Sequence, residues 1–209
     1  MAILPTVPET LERTARKYPG REALVYPRKD VRLTYAALDQ RVTAFANALG
    51  EMGVEKGDIV SLFLHNSVEF AIATYAVSRA GATLNPINYR LAESELDYIL
   101  DDSGSNTLLY EEATRETVES TMSDSDLSSV ERLVYVDDDR HAVPDGAEGF
   151  HALVEDADAT PIDVDISSED PFTLIYTSGT TGRPKGVVHS HEDATYHNII
   201  YNGQKGIDH

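Results

Sequence analysis

From Ala23 to Val136 the sequence keeps switching between short apolar runs and helical stripes, and that alternation restricts the chain to few architectures. The pair Gly57-Asp58 leads into Ile59 to Leu64, a continuous apolar run of the kind that a strand buried on both faces requires. Before it, Thr34 is placed to cap a helix running to about Gly50, with Leu38, Val42, Phe45 and Leu49 on one face. After it, Ser67 to Ala80 reads as a helix closed by Gly81, and Ala82 to Leu84 as a strand stopped by Pro86. Glu93 to Leu100 and Glu111 to Thr121 continue as helices, Thr107 to Tyr110 and Leu133 to Val136 as strands. Upstream, Pro8 to Lys17 reads as a short helix. Ala23 to Tyr26 and Val31 to Thr34 read as strands around the charged turn Arg28-Lys29-Asp30. Strands alternating with helices predict an α/β fold with a mostly parallel sheet.

Composition removes several function classes. No run approaches the ~18 apolar residues of a membrane span, and the stretch from Phe70 to Val77 is broken by Thr74. Met1 to Arg13 carries no basic region followed by an apolar core, so no secretory leader is expected. Cysteine is absent, which excludes disulfides, thiolate metal sites and a cysteine nucleophile; a cytoplasmic location is the expectation. A formal charge of -19 repels phosphodiester backbones, so no nucleic-acid partner is expected. The sequence sets no oligomeric state.

Asp137 to Asp170 is polar, acidic and broken by Pro144, Gly146 and Pro161. It is expected to be a surface excursion with one short helix near Phe150 to Val154, and Asp137 to Asp139 a solvated loop without calcium-loop spacing. Further on, His191-Glu192-Asp193-Ala194-Thr195 approaches the zinc pattern H-E-x-x-H, but Thr195 replaces the second histidine. His189, His191 and His197 are read as polar residues at a strand-to-helix junction, and no metal site is assigned. Tyr196 and Tyr201 are read as packing residues of a helix starting near Glu192.

The chemistry concentrates in Asp170 to His191, DPFTLIYTSGTTGRPKGVVHSH. An apolar strand, Phe172 to Tyr176, runs into six small residues, Thr177-Ser178-Gly179-Thr180-Thr181-Gly182. Arg183-Pro184-Lys185-Gly186 and a second apolar run at Val187-Val188 follow. Six small residues contribute little to a core, whereas glycines let backbone approach an anion and N–H groups and hydroxyls donate to it. Lys185 adds a cation at the far end, and Pro184 stiffens the approach to it. The spacing fits neither the Walker pattern nor a G-x-G-x-x-G dinucleotide turn, and no G-x-S-x-G surrounds Ser178. From these residues alone, a nucleotide-phosphate loop and a flexible Ser/Thr/Gly surface loop both stand.

Tyr176 to Gly186, YTSGTTGRPKG, closely resembles the phosphate-binding signature of the adenylate-forming superfamily. That superfamily contains acyl-CoA synthetases, peptide-synthetase adenylation domains and firefly-type luciferases. Leu33-Thr34-Tyr35-Ala36-Ala37-Leu38, the Gly53 to Leu64 stretch with Asn66, and Arg79 to Asn88 resemble its upstream motifs, in the same order and spacing. The VVHSH continuation and Leu91 to Leu100, LAESELDYIL, look most like fatty-acyl-CoA ligases.

The resemblance implies part of a large N-terminal AMP-binding domain, left incomplete over residues 1–209, with residues 172–188 as strand, phosphate loop and strand and no small C-terminal domain. It implies activation of a small-molecule carboxylate, a fatty acid by the branch resembled, by Mg-ATP to an acyl-adenylate, then transfer to coenzyme A. It assigns the ATP phosphates to Thr177, Ser178, Gly179, Thr180, Thr181, Gly182 and Lys185. It places the adenine site, the Mg2+ ligand and the adenylation lysine beyond this stretch, so no catalytic residue is assigned here and the chain alone is expected to be inactive. A non-catalytic nucleotide-binding module and an inactive truncated product are the alternatives.

Overall fold

A computed structural model describes residues 4–124, 129–138, 140–160, 162–178 and 182–205. Helix α1 (Val7–Lys17) starts at a capping box: the Thr6 hydroxyl accepts from the Glu9 amide while the Glu9 carboxylate accepts from the Thr6 amide. Strands β1 (Glu22–Tyr26) and β2 (Val31–Thr34) pair antiparallel through a single 3-10 turn, Pro27–Lys29, with Asp30 left-handed at φ 52°. Helix α2 (Tyr35–Glu51) follows directly, its first turn closed by Thr34, which accepts from the Ala37 amide. The stripe Leu38, Val42, Phe45 and Leu49 is buried, as its spacing predicts.

A doubly wound unit comes next: β3 (Ile59–Phe63), α3 (Val68–Arg79), β4 (Thr83–Pro86), α4 (Glu93–Ser103), β5 (Thr107–Glu111), α5 (Glu112–Asp124) and β6 (Arg132–Val136). The chain ends with β7 (Glu148–Gly149), α6 (Phe150–Asp156), β8 (Pro171–Thr177), β9 (Lys185–Ser190) and α7 (His191–Lys205). The main sheet has the order β7-β6-β5-β3-β4-β8-β9, parallel throughout except for the last pair. That exception refines the mostly parallel expectation, because a connection of seven residues joins an antiparallel hairpin and is too short for a crossover.

Strand alternation sends side chains to both faces. Val60 and Leu62 pack with α1, α2, α3 and α6; Phe63, Leu108, Tyr110 and Tyr135 pack with α4 and α5. Winding therefore reverses between β4 and β5, and α3 and α4 lie on opposite faces. On the first face Arg79 is buried and donates to Asp39 Oδ1 at 2.7 Å and Thr43 Oγ1 at 2.6 Å, joining α3 to α2.

Residues 137–170 do more than run over the surface. Strand β7 extends the sheet beside β6, and Phe150 is buried with its ring 4.5 Å from that of Phe45. The acidic run helps to hold this arrangement. Asp137 Oδ1 accepts from the His151 amide, and Asp138 accepts from the Arg140 amide and the His141 ring, which hold its carboxyl well below the usual range. Asp139 and Pro161 lie outside the described residues.

At the other end, His191 is buried at the start of α7, and its Nδ1 accepts from the Val7 amide at 3.2 Å. Thr195 donates to the Pro5 carbonyl. These contacts dock α7 on the N-terminal segment. Tyr196 is 58% exposed, so it is not the packing residue expected; the Tyr201 side chain lies outside the described ones.

Phe150→Ala is expected to lower unfolding free energy by about 3–5 kcal/mol in urea titration, the usual cost of emptying a buried aromatic site. A loss near zero would mean α6 is not docked. Burial depresses the His191 pKa, against a smaller opposite pull from Asp170. The folded value then lies below the unfolded one, so stability is present above pH ~6.5 and falls as the unfolded chain takes up the proton first. Urea midpoints at pH 7.5 and 5.5 should show that loss, and His191→Gln should shrink it.

Candidate functional site

Because β3, β4, β5 and β8 run parallel, their carboxyl ends (Phe63, Pro86, Glu111 and Thr177) open on one edge of the sheet. That edge is where open α/β sheets bind ligands, since loops leaving it are free of the crossover packing on the faces. The Ser/Thr/Gly segment leaves the sheet there.

The geometry of the loop's base is set by the β8–β9 hairpin. Pairing runs from Pro171 opposite Ser190 to Thr177 opposite Lys185, so residues 178–184 form the connection. Opposed residues share a face. Thr177 and Lys185 thus stand side by side, both exposed, above the pairs Ile175/Val187 and Thr173/His189. The other face carries Leu174 opposite Val188 and Tyr176 opposite Gly186. A Cβ on Gly186 would lie 2.7 Å from Leu174 Cδ1 and 3.3 Å from the Tyr176 ring, so a side chain there would have to push both aside. Gly182 has φ 151°, a region closed to other residues at low cost.

Of the sequence-predicted residues, the structure places Thr177 and Ser178 at the carboxyl end of β8, Gly182 in the connection and Lys185 at the start of β9. Gly179, Thr180 and Thr181 lie outside the described residues. The described part thus presents two hydroxyls and an ammonium at an exposed position, donors suited to phosphate oxygens. Lys185 and Arg183 concentrate positive charge on a strongly acidic chain.

Two groups of neighbours escaped the sequence reading. Tyr98 and Asp102, one helical turn apart on α4, reach the hairpin from the face that bears Tyr176. Their i, i+4 spacing was visible in the sequence, but their target was not. At the same carboxyl edge, Glu111 Oε1 accepts from both the amide and Nδ1 of His65, each at 2.6 Å, and the His65 ring stacks on Tyr89 at 3.8 Å. Among the described residues, no group of three or more His, Cys, Asp or Glu side chains is arranged to hold a metal ion. No described helix is long and apolar enough to cross a membrane.

The chain matches the AMP-binding enzyme family over residues 11–206. It is 36% identical over 184 residues to the long-chain-fatty-acid–CoA ligase FadD13 of Mycobacterium tuberculosis, which covers 87% of this chain and 34% of that protein. It is 32% identical over 209 residues to the medium/long-chain-fatty-acid–CoA/3-oxocholest-4-en-26-oate–CoA ligase of Mycobacterium marinum, covering 97% of this chain and 37% of the relative. The inhibitor-bound N-terminal domain of FACL13 from Mycobacterium tuberculosis superposes with a TM-score of 0.81 at 34% identity, over 90% of this chain and 44% of that one. The long-chain-fatty-acid-CoA ligase FadD1 of Archaeoglobus fulgidus shares the fold, with a TM-score of 0.86 at 22% identity over 99% of this chain and 41% of that one. The chain spans about a third of the length of these curated relatives. In sequence and fold alike, it belongs to the AMP-binding enzyme family.

Proposed function

We propose that the protein of which these residues form the phosphate-binding part activates a carboxylic acid, a fatty acid by its relatives' names, first as an acyl-adenylate and then as an acyl-CoA. The observation that carries this reading is the register of the β8–β9 hairpin, which sets Thr177 beside Lys185 at the carboxyl edge of the sheet. Family membership and the fatty-acid–CoA ligases among the relatives support it.

In the first step a carboxylate oxygen bonds to the α-phosphorus of ATP and the bond to the bridging oxygen of pyrophosphate breaks. Negative charge then builds on the leaving group. The hydroxyls of Thr177 and Ser178, backbone N–H groups of the loop and the Lys185 ammonium are the donors proposed to stabilise it, with Gly179, Thr180, Thr181 and Gly182 assigned to the same loop from sequence. In the second step the sulfur of coenzyme A bonds to the acyl carbon, AMP leaves, and the thiol proton passes to solvent. Mg2+ would accompany the ATP and offset phosphate charge; among the described residues no group of three or more His, Cys, Asp or Glu side chains is arranged to hold it. No residue of this chain is assigned to attack or to proton transfer.

The test is carboxylate-dependent pyrophosphate release and CoA-dependent AMP formation, measured with straight-chain acids on the complete reading frame that carries this chain. Lys185→Ala should lower pyrophosphate release by about 10²-fold, the usual scale for losing one preorganised donor to developing charge, and Lys185→Arg should recover part of it. If no acid releases pyrophosphate while ATP still binds, the second reading, a nucleotide-binding module without catalysis, replaces the first.

A further inference from the structure

Groups far apart in sequence meet beneath the second arm of the loop. The Tyr98 hydroxyl donates to the Pro184 carbonyl at 3.1 Å and lies 3.3 Å from Asp102 Oδ1. The Tyr176 hydroxyl donates to Asp102 Oδ2 at 2.7 Å. The two phenol rings meet edge to face with centroids 6.5 Å apart, and the Arg183 guanidinium sits 5.1 Å from the Tyr98 ring centre.

We propose that Tyr98, Asp102 and Tyr176 are positioning residues for the loop: they pin Arg183-Pro184-Lys185 to α4 and so set where the Lys185 ammonium stands relative to Thr177. The inference rests on the phosphate-binding reading of that loop. The Pro184 carbonyl belongs to the same planar peptide unit as the Lys185 nitrogen, so anchoring one orients the other. From the opposite side, the Thr177/Lys185 pairing fixes the same residue in register. A phenol has one proton, which Tyr98 spends on Pro184 while Asp102 takes the proton of Tyr176; the carboxylate thus couples helix to strand.

The helix can serve as a post because it is itself secured. Leu96, Ile99 and Leu100 are buried against the sheet. Beyond its C-terminus, Ser105 Oγ lies 2.8 Å from Ser103 Oγ and 2.5 Å from Ser61 Oγ, which also accepts from Asn85 Nδ2 at 2.9 Å. Strands β3 and β4 and the end of α4 therefore share one buried polar network. A charged Asp102 on a secured helix holds the loop's arm without lending it a group that reacts.

The experiment compares the wild-type chain with Tyr98→Phe and Asp102→Asn by amide hydrogen exchange at Arg183, Lys185 and Gly186, and by calorimetric titration with tripolyphosphate. Faster exchange at those amides, with affinity for tripolyphosphate weakened about three- to tenfold, the worth of one net hydrogen bond, and an unchanged melting temperature, is the expected result. A purely structural role would lower the melting temperature and leave affinity at temperatures well below it untouched. Unchanged exchange in both variants overturns the inference. Faster exchange in a chain whose wild type does not bind tripolyphosphate overturns the phosphate reading and leaves only an anchored hairpin. Should Asp102→Asn fail to fold, Tyr98→Phe decides, since it removes one oxygen from a half-buried ring.

Discussion

The pairing of β9 on β8 is the constraint on which the site depends. Without it, a hydroxyl-rich segment at the end of a strand is only a loop, and its lysine has no fixed relation to its threonines. With it, a seven-residue connection starts and ends at adjacent positions, Thr177 and Lys185, and both arms are tied by ladder hydrogen bonds. The parallel strands alone would not achieve this, because a parallel return needs a crossover long enough to carry the chain back to the other edge. One antiparallel strand at the end of a parallel sheet is therefore what brings the chain back beside its own strand, with Thr177 and Lys185 adjacent. Its cost is visible: Val187 and Val188, on opposite faces of β9, are 40% and 58% exposed.

The hairpin can be held only by what lies beside it, and α4 meets that need. Winding of the sheet reverses between β4 and β5, so the α4 crossover passes over β3 and lies on the face to which Tyr176 and Leu174 point. The polar network of Ser61, Asn85 and Ser105 is buried on that face, where hydroxyls would be costly if unpaired. Apolar residues there would pack as well but would let the helix slide; directional bonds give it a register. Packing thus supplies the energy on both faces, while the hydrogen bonds on the α4 face decide position.

What could be read from the sequence follows from how local each signal is. Thr34 caps its helix, and the Leu38–Leu49 stripe is buried, because caps and stripes depend on neighbours within a few residues. The α/β alternation was legible for the same reason. Strand β7 was not: two residues, Glu148–Gly149, carry no periodicity, and only their position beside β6 makes them a strand. The short helix near Phe150 was legible, but that Phe150 docks on Phe45, 105 positions away, was not. In the candidate site, the two strands that flank the loop were legible from their apolar runs, whereas the contacts that orient its second arm join residues 74 and 86 positions apart. No local rule predicts such pairs.

The charge balance narrows how a site of this kind can work. A chain with a formal charge of -19 repels a polyphosphate at long range. At physiological salt, however, the Debye length is about 8 Å, so distant carboxylates are largely screened and the near groups decide. Near the loop those groups are Lys185, Arg183, the Asp102 carboxylate beneath the second arm and a set of neutral hydroxyl and amide donors. Arg183 lies over the Tyr98 ring with its charge intact, and Lys185 is the cation aligned with Thr177 in the hairpin register. Two cations offset by a carboxylate and set among dipoles bind through geometry more than through attraction at a distance. Small displacements of the loop's arm then matter more than they would in a broadly basic pocket, which is why anchoring by neighbouring tyrosines and a carboxylate is a sensible use of three polar residues at the surface.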